Sequence, residues 1–413
     1  MLIDDYINYT NKYKEIYDKC LVLMQVGSFY ELYGVPDKNE GANVDEVCEI
    51  LEIQSTRKNK SEPNISRNNP KMAGIPLYVL NKYVEILVEN NYTIILVEQV
   101  TLPPNPKRDV TRIISPSTFT ELNTNTQNNF LMCIYFTIGN TQQKEFLTGS
   151  VAFADINTND TYIFNCEEDD TILNIEDIQK TIYNNKPKEI VIITDNKTKL
   201  KENFISQIKN FINTIPGNIC THKLNSNINE VFFKLSYQKT ILEKVFQDTG
   251  LLSVIEYLDL EMRPLSIISF TYLLQFCYDH SNSIIKGIKK PVFLENEKYL
   301  ALVNNALENL DIIPRDSKNT SKTGSLLNLL NNCKTSIGKR YFKHCLINPL
   351  IDCEKIKERY EQCDFFIKND FYTKILPSLS KVCDLERLFK RILMKTIQPS
   401  EFSNIYHSFL SLK

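Results

Sequence analysis

A chain of 413 residues is longer than one ordinary domain and suggests two to four. With 42% hydrophobic residues it can bury sizeable cores, which argues against disorder, and a formal net charge of −2 argues against wholesale coating of nucleic acid. No run approaches the roughly 20 apolar residues that span a bilayer. The start, Met1 to Asn11, has no Arg-rich amphipathic stretch, so neither a secretory nor a transit signal is visible. The expectation is an intracellular, cytoplasmic protein without membrane contact, with nucleus and mitochondrion left open. Eleven cysteines are scattered singly and only four histidines occur, so structural-zinc spacing is missing and no metal is expected.

In chain order, Asp4 to Lys19 has the apolar spacing of a helix. Leu21 to Val26 is a short apolar run ended by Gly27, and Phe29 to Tyr33 continues as extended, aromatic-rich chain. Asn43 to Ile53 reads as helical. The stretch 54–71 is a loop with five basic residues, Arg57, Lys58, Lys60, Arg67 and Lys71, against the single Glu62. Pro76 opens a helix striped by Leu80, Tyr83, Val84, Leu87 and Val88. Strands follow at Tyr92 to Val100 and Val110 to Ile114, across a Pro-rich turn at 102–106.

Glu121 to Asn129 is a polar linker. Beyond it come strands at Leu131 to Ile138, Leu147 to Ile156 and Thr161 to Phe164, a helix at Asp170 to Asn184, and Ile190 to Thr194, a run suited to a strand buried on both faces. From about Phe232 the pattern turns helical, with segments at Ser266 to Tyr278, Leu326 to Leu330, Ile337 to Leu346 and Glu354 to Lys368. The fold class expected is therefore α/β followed by all-α. A small mixed α/β domain spans 1–120, a second α/β domain 130–225 and an incomplete helical region 232–413.

The chemistry concentrates in Gly27-Ser28-Phe29-Tyr30-Glu31-Leu32-Tyr33. On an extended strand Phe29 and Glu31 share a face and Tyr30 takes the other. An apolar ring can wedge between base steps from the minor groove, most cheaply where pairing is already defective. The carboxylate can accept a hydrogen bond from the displaced base, and it repels duplexes that cannot offer one. Taken alone, the stretch reads as an ordinary amphipathic strand with Phe29 in the core.

Three further segments give this pattern a context: Lys71-Met72-Ala73-Gly74-Ile75-Pro76, Val97-Glu98-Gln99-Val100, and Arg112 to Thr118 with its Ser115-Pro116-Ser117-Thr118. With Val26 to Tyr33 they resemble, in order and spacing, the mismatch-binding domain of the MutS family and its Phe-x-Glu reading motif. Weaker likeness continues through Leu307 to Leu310, Gly324 to Leu326, Ser336 to Arg340, Asn348 to Leu350 and Asp384 to Arg391, which are similar to the family's helical core. The resemblance implies a mismatch-binding domain, a ribonuclease H-like connector and a partial core and lever region. It implies that Phe29 stacks on a mispaired base and that Glu31 hydrogen-bonds to it. Gly27, Met72, Lys71, Arg57, Lys58 and Arg67 become candidate DNA contacts, although a basic loop is as often a solvated surface.

The resemblance further implies mismatched double-stranded DNA as ligand, a homodimer or MutS-type heterodimer, and mismatch repair factors as partners. The family's ATPase, with ATP and Mg, is expected outside this chain, which reads as the N-terminal part of a longer protein with no cofactor or catalytic residue of its own. Asp155 lies on a strand without the converging carboxylates a nuclease needs. Ser336-Ile337-Gly338-Lys339-Arg340 is no phosphate loop, since Cys333 and Arg340 stand where Gly and Ser or Thr are required. The competing readings are a recombination-type paralogue, expected to lack the Phe and Glu, and a scaffold without DNA binding.

Overall fold

The computed structural model describes residues 2–101, 106–120, 128–142, 144–166, 168–194, 201–222, 224–225, 228–294, 299–300, 302, 306–314 and 323–413. Almost all of the Pro-rich turn and most of the polar linker expected from the sequence lie outside the described residues. The architecture is mixed α/β in its first two parts and helical in its last.

Helix α1 (Leu2–Lys14) buries Ile3, Tyr6, Ile7 and Tyr13 at helical spacing and leads into strand β1 (Cys20–Val26). A two-residue turn, Gly27-Ser28, returns the chain as β2 (Phe29–Val35), with Val26 opposite Phe29. Gly27 holds φ at +60°, the left-handed geometry that such hairpin turns need at their first position. β3 (Glu40–Gly41), α2 (Val44–Leu51), β4 (Thr56–Arg57), β5 (Lys71–Pro76), α3 (Leu80–Glu89), β6 (Thr93–Gln99) and β7 (Arg108–Ile114) complete a seven-stranded sheet. Its order is β4-β5-β2-β1-β6-β7, with β3 paired to β2 and β1 parallel to β6.

β5 departs from the sequence reading, which has no strand between the basic loop and Pro76. Gly74 and the terminal Pro76 weaken its local signal, but six residue pairs with β2 satisfy its backbone. The helix expected at Pro76 starts at Leu80, after a short 3-10 turn. α2 packs over the Gly34 side of the sheet, while α1 lies on the other, where Tyr6 meets Tyr33 edge-on with ring centroids 5.2 Å apart. The turn end of that second face stays open.

The second sheet contains β8 (Phe130–Asn140), β9 (Glu145–Asp155), β10 (Thr161–Asn165), β11 (Glu189–Thr194), β12 (Cys220–Thr221) and β13 (Val292–Phe293), in the order β12-β11-β8-β9-β10-β13. Alternation along β8 feeds two cores. Met132, Ile134 and Phe136 meet α4 (Thr171–Asn185) and α5 (Glu202–Thr214). Leu131, Cys133 and Tyr135 meet α6 (Leu235–Val245), α7 (Val254–Tyr257) and α8 (Pro264–His280). All six residues of β11 are buried, as its continuous apolar run predicts.

The sequence reading groups everything after 232 with the helical region, whereas α6, α7, α8 and β13 close the second sheet. The reason is α8, which is apolar nearly all round and buries ten side chains. Such a helix must be covered on several sides, and the sheet covers one. Its Ser266 and Ser269 hydroxyls reach Asn165 and Ser150 on that sheet.

The last part contains α9 (Ala306–Asn309), α10 (Leu326–Leu330), α11 (Ser336–Ile347), α12 (Cys353–Lys368), α13 (Phe371–Leu379), α14 (Leu385–Met394) and α15 (Pro399–Leu412). Two motifs singled out in the sequence meet here. Arg340 donates to Asp384 at 2.6 and 2.8 Å and to Glu386 at 2.6 Å. Ser336 to Arg340 is the start of α11, capped by the Thr335 hydroxyl, which accepts from the Gly338 amide. Lys390 of α14 is fully buried and donates to Asn159 Oδ1 and to the carbonyls of Ile284 and Lys286. Those three acceptors tie α14 to the β9–β10 turn and to the loop after α8. No described helix is long and apolar enough to cross a membrane.

Candidate nucleic-acid interface

The end of the first sheet gathers the N-terminus of β2 with the C-termini of β1, β5 and β6 and the N-terminus of β7. Phe29 stands at this end and is 45% exposed, the opposite of what an aromatic ring in an ordinary strand does. Glu31 follows two residues on, on the same face and half-buried. Gly74 lies directly opposite Glu31, and a Cβ built on it would be 3.7 Å from the Phe29 ring and 4.0 Å from Glu31 Cγ. The two side chains therefore flank a notch floored by backbone.

The Tyr33 hydroxyl donates to Glu31 Oε2, which fixes the carboxylate and leaves Oε1 without a partner among the described residues. Burial, then this carboxylate, push the Tyr33 pKa far up, so the phenol stays a donor. Tyr30 points to the other face, where it donates to Glu98 at 2.5 Å, so the Glu98-Gln99 segment braces β2 from behind.

Gly74→Ala adds a methyl at ordinary contact distance and is expected to leave stability and duplex binding close to the parent. Gly74→Leu fills the notch and is expected to weaken duplex binding. Parallel binding and melting curves check both, and equal binding by the two variants would remove the notch from the site.

The basic candidates separate. Arg57 donates to the Pro63 carbonyl at 3.0 Å, folding back on its own loop around buried Asn69. Arg67 pairs with Asp4 of α1 at 3.1 Å. Lys71 lies across from Gly34, on the face away from Phe29, and pairs with Asp45 of α2. Lys58 is exposed and in no ion pair among the described residues. Met72 is half-buried opposite Tyr33, packed against the core. The resemblance made all of these candidate DNA contacts, with a solvated loop as the alternative for the basic ones. Of the candidates, Phe29, Glu31 and Gly27 share the open end, while Arg57, Arg67 and Lys71 are spent on an internal carbonyl and internal carboxylates.

Other residues at this end were missed. Leu77 donates its amide to the Ser28 carbonyl at 3.1 Å, which places Tyr78, 89% exposed, next to the Gly27-Ser28 turn. Arg108 donates to the Gln25 carbonyl at 2.9 Å, and exposed Lys107 adjoins it. An aromatic residue just past a Pro, and a basic pair at the start of a strand, are the signals that could have found them.

A second polar centre joins the two sheets. Glu189 of β11, fully buried, accepts from Ser115 Oγ at 2.6 Å, from Ser117 Oγ and from the Ser117 amide at 3.1 Å, and contacts His222 Nε2 at 2.5 Å. Tyr17 contacts His280 Nε2 at 3.5 Å and packs edge-on against the His222 ring. Ser115 to Thr118 is thus the seat of the first sheet on the second. Glu189, Cys220 and His222 bring one donor atom each within 4.8 Å of one another. Both Glu189 oxygens are already engaged, and burial keeps the Cys220 thiol protonated, so the chemistry is that of a hydrogen-bonded hub. Asp155, fully buried, accepts from the Asn157 amide at 3.0 Å, and burial raises its pKa.

The hub sets an acid limit. Burial holds the His280 pKa down from 6.5 to about 4. The unfolded chain takes up a proton near pH 6.5 that the folded chain refuses until about 4, so stability is full above 6.5 and falls as pH drops. Burial alone would raise Glu189, but the charge of His222 and its hydrogen bond prevail and hold it down to about 2, adding a loss that runs from pH 4.5 to 2. The melting temperature is expected to fall between pH 7 and 5 by the equivalent of about 2 kcal/mol from His280. His280→Gln is expected to flatten that slope, and an unchanged slope would separate the histidine from the acid response.

Residues 6–123 match the family model described as MutS domain I, and residues 305–413 the one described as MutS domain III. The chain belongs to the MutS family. It is 28% identical over 402 residues to a DNA mismatch repair protein MutS of Dehalococcoides mccartyi strain CBDB1, covering 96% of this chain and 41% of the relative. The corresponding figures are 28% over 411 residues, 97% and 42% for MutS of Caldanaerobacter subterraneus subsp. tengcongensis. A mutS homologue of Acanthamoeba polyphaga mimivirus is 26% identical over 427 residues, 97% of this chain and 38% of the relative. The chain spans about two fifths of the length of these relatives. Within this MutS-family chain, the open sheet end with Phe29 and Glu31 falls in the first matched segment, and the Arg340–Asp384–Glu386 junction in the second.

Proposed function

We propose that this chain recognises mispaired or looped duplex DNA in mismatch repair, with Phe29 stacking on the mispaired base and Glu31 accepting a hydrogen bond from it. The observation that carries the reading is a half-exposed aromatic ring at a strand end beside a carboxylate already oriented by Tyr33, within the segment matching MutS domain I. Inserting a ring between base steps requires unstacking, which is least costly at a defective pair and bends the duplex. Tyr78, Lys107 and Arg108 at the same end extend the contact surface to the flanking backbone.

On this reading the first sheet is the mismatch-binding domain. The second is the ribonuclease H-like connector, extended to β13 by the packing of α6 to α8. The remaining helices belong to the core and lever. On this reading ATP, Mg and the main dimer contacts belong to a further domain of the family. This chain supplies the reading head of a homodimer or MutS-type heterodimer, and other repair factors act after it.

The test is the affinity of the chain for G·T-mismatched and matched duplexes by fluorescence anisotropy, between about 50 and 200 mM salt. Tighter binding to the mismatch at every salt is expected. Equal affinity for both duplexes sinks the reading. One observation favours a second reading, an interaction scaffold: Arg57, Arg67 and Lys71 are held by internal partners. A scaffold would show no salt-dependent affinity for either duplex.

A further inference from the structure

Between the β10 side of the second sheet and α11 lies a cavity of about 410 Å³. That is in the range of small-molecule sites, roughly 300–1,000 Å³. One wall is aromatic. The Phe153 and Tyr162 rings stack at 5.0 Å with 20° between planes, and Phe130 packs edge-on to Tyr162 at 6.1 Å. The cationic lining comes from helices: Lys343 and Arg340 from α11, and Lys180 from α4.

Among the described residues the charges do not balance. Arg340 is committed to Asp384 and Glu386, and the cavity's Asp160 is committed to Lys289. Lys343 has no carboxylate partner among the described residues. Burial, and then the charge of Lys186, push its pKa down to about 8. A half-buried ammonium with no carboxylate partner among the described residues, beside an empty volume, favours an incoming anion. Asn184 of α4 also lines the cavity, and its Oδ1 is buried with no hydrogen-bond partner among the described residues, an acceptor that calls for a donor.

An aromatic ring face, an acceptor and ammonium groups, the latter two without partners among the described residues, are the three contacts that a nucleobase with a phosphate uses at once. We propose that this cavity binds a mononucleotide, its base against Tyr162, which Phe153 backs, a base N–H on Asn184 Oδ1 and its phosphate on Lys343 and Lys180. The site is separate from the open end of the first sheet and independent of Phe29. Its occupant touches both the second sheet and α11, so binding stiffens their junction.

The experiment titrates the 413-residue chain with AMP, adenosine and ribose 5-phosphate by calorimetry, and repeats the AMP titration on Lys343→Met, Asn184→Leu and Phe29→Ala. Saturable 1:1 binding of AMP is expected, with adenosine weaker by at least about tenfold and ribose 5-phosphate weaker again. Lys343→Met removes a half-buried charge that has no carboxylate partner among the described residues, so it is expected to fold normally while losing at least about tenfold in AMP affinity. Asn184→Leu is expected to weaken AMP but not ribose 5-phosphate, and Phe29→Ala to bind AMP as the parent does. Absence of saturable AMP binding by the parent chain overturns the proposal. So does an affinity unchanged in Lys343→Met, or one lost in Phe29→Ala, which would move the nucleotide to the sheet end.

Discussion

Phe29→Ala is expected to erase the preference for mismatched over matched duplex while leaving weak, salt-sensitive background binding in place. Base–aromatic stacking is worth about 1–3 kcal/mol by alanine substitution, so mismatch affinity should drop by roughly 5- to 150-fold. The fold should be unaffected. Phe29 sits at the exposed end of β2, outside the core that Tyr30, Leu32 and Tyr33 build, so its removal opens no cavity. Anisotropy on G·T-mismatched and matched duplexes measures the first effect and a melting curve the second. A variant that keeps full preference would show that the ring is a bystander. A variant that melts well below the parent would mean the exposed ring is structural.

The companion substitution Glu31→Ala separates two roles for the carboxylate. As an acceptor for the displaced base, its loss weakens mismatch binding. As a repulsive charge toward the backbone, its loss strengthens matched binding. Both changes narrow the ratio, so measuring the two affinities individually is essential.

The largest stability effect is expected at Glu189→Ala. The carboxylate collects the Ser115 and Ser117 hydroxyls, the Ser117 amide and His222, all buried. Removing one partner of a buried charged network costs about 3–5 kcal/mol, because the donors left behind stay desolvated and unsatisfied. Since the serine donors follow the last strand of the first sheet while Glu189 and His222 belong to the second, the loss should fall on their junction. Chemical denaturation is expected to resolve an early transition, and limited proteolysis to cleave between the sheets sooner than in the parent. A single transition at the parent's midpoint would show that the apolar contacts alone hold the two sheets.

These expectations rest on information of different origin. The alternation of Leu131, Cys133 and Tyr135 with Met132, Ile134 and Phe136 was legible in the sequence, because a period of two is a local property that sorts side chains to two faces wherever the strand lies. The same holds for the end of the apolar run at Gly27, although the reversal of the chain there, with Gly27 at positive φ, showed only in the structure. It also holds for the placement of Phe29 and Glu31 on one face. Resemblance to a known family read further than any period could, since it joined four short segments whose separate signals are weak.

Only the tertiary structure decided the rest. β5 becomes a strand through pairing with β2, against the preference of its Gly74 and Pro76, because ladder partners outweigh local propensity. α6, α7 and α8 join the second sheet because helical periodicity says that a face is apolar and nothing about what covers it. Arg57, Arg67 and Lys71 read as a basic patch in one dimension. In three they are spent on Pro63, Asp4 and Asp45, since a cation takes the nearest desolvated acceptor and that acceptor is chosen by the fold. Glu189 gave no signal at all. Its partners lie 72 and 74 residues back and 33 residues on, and such distances are closed only by the docking of one sheet on another.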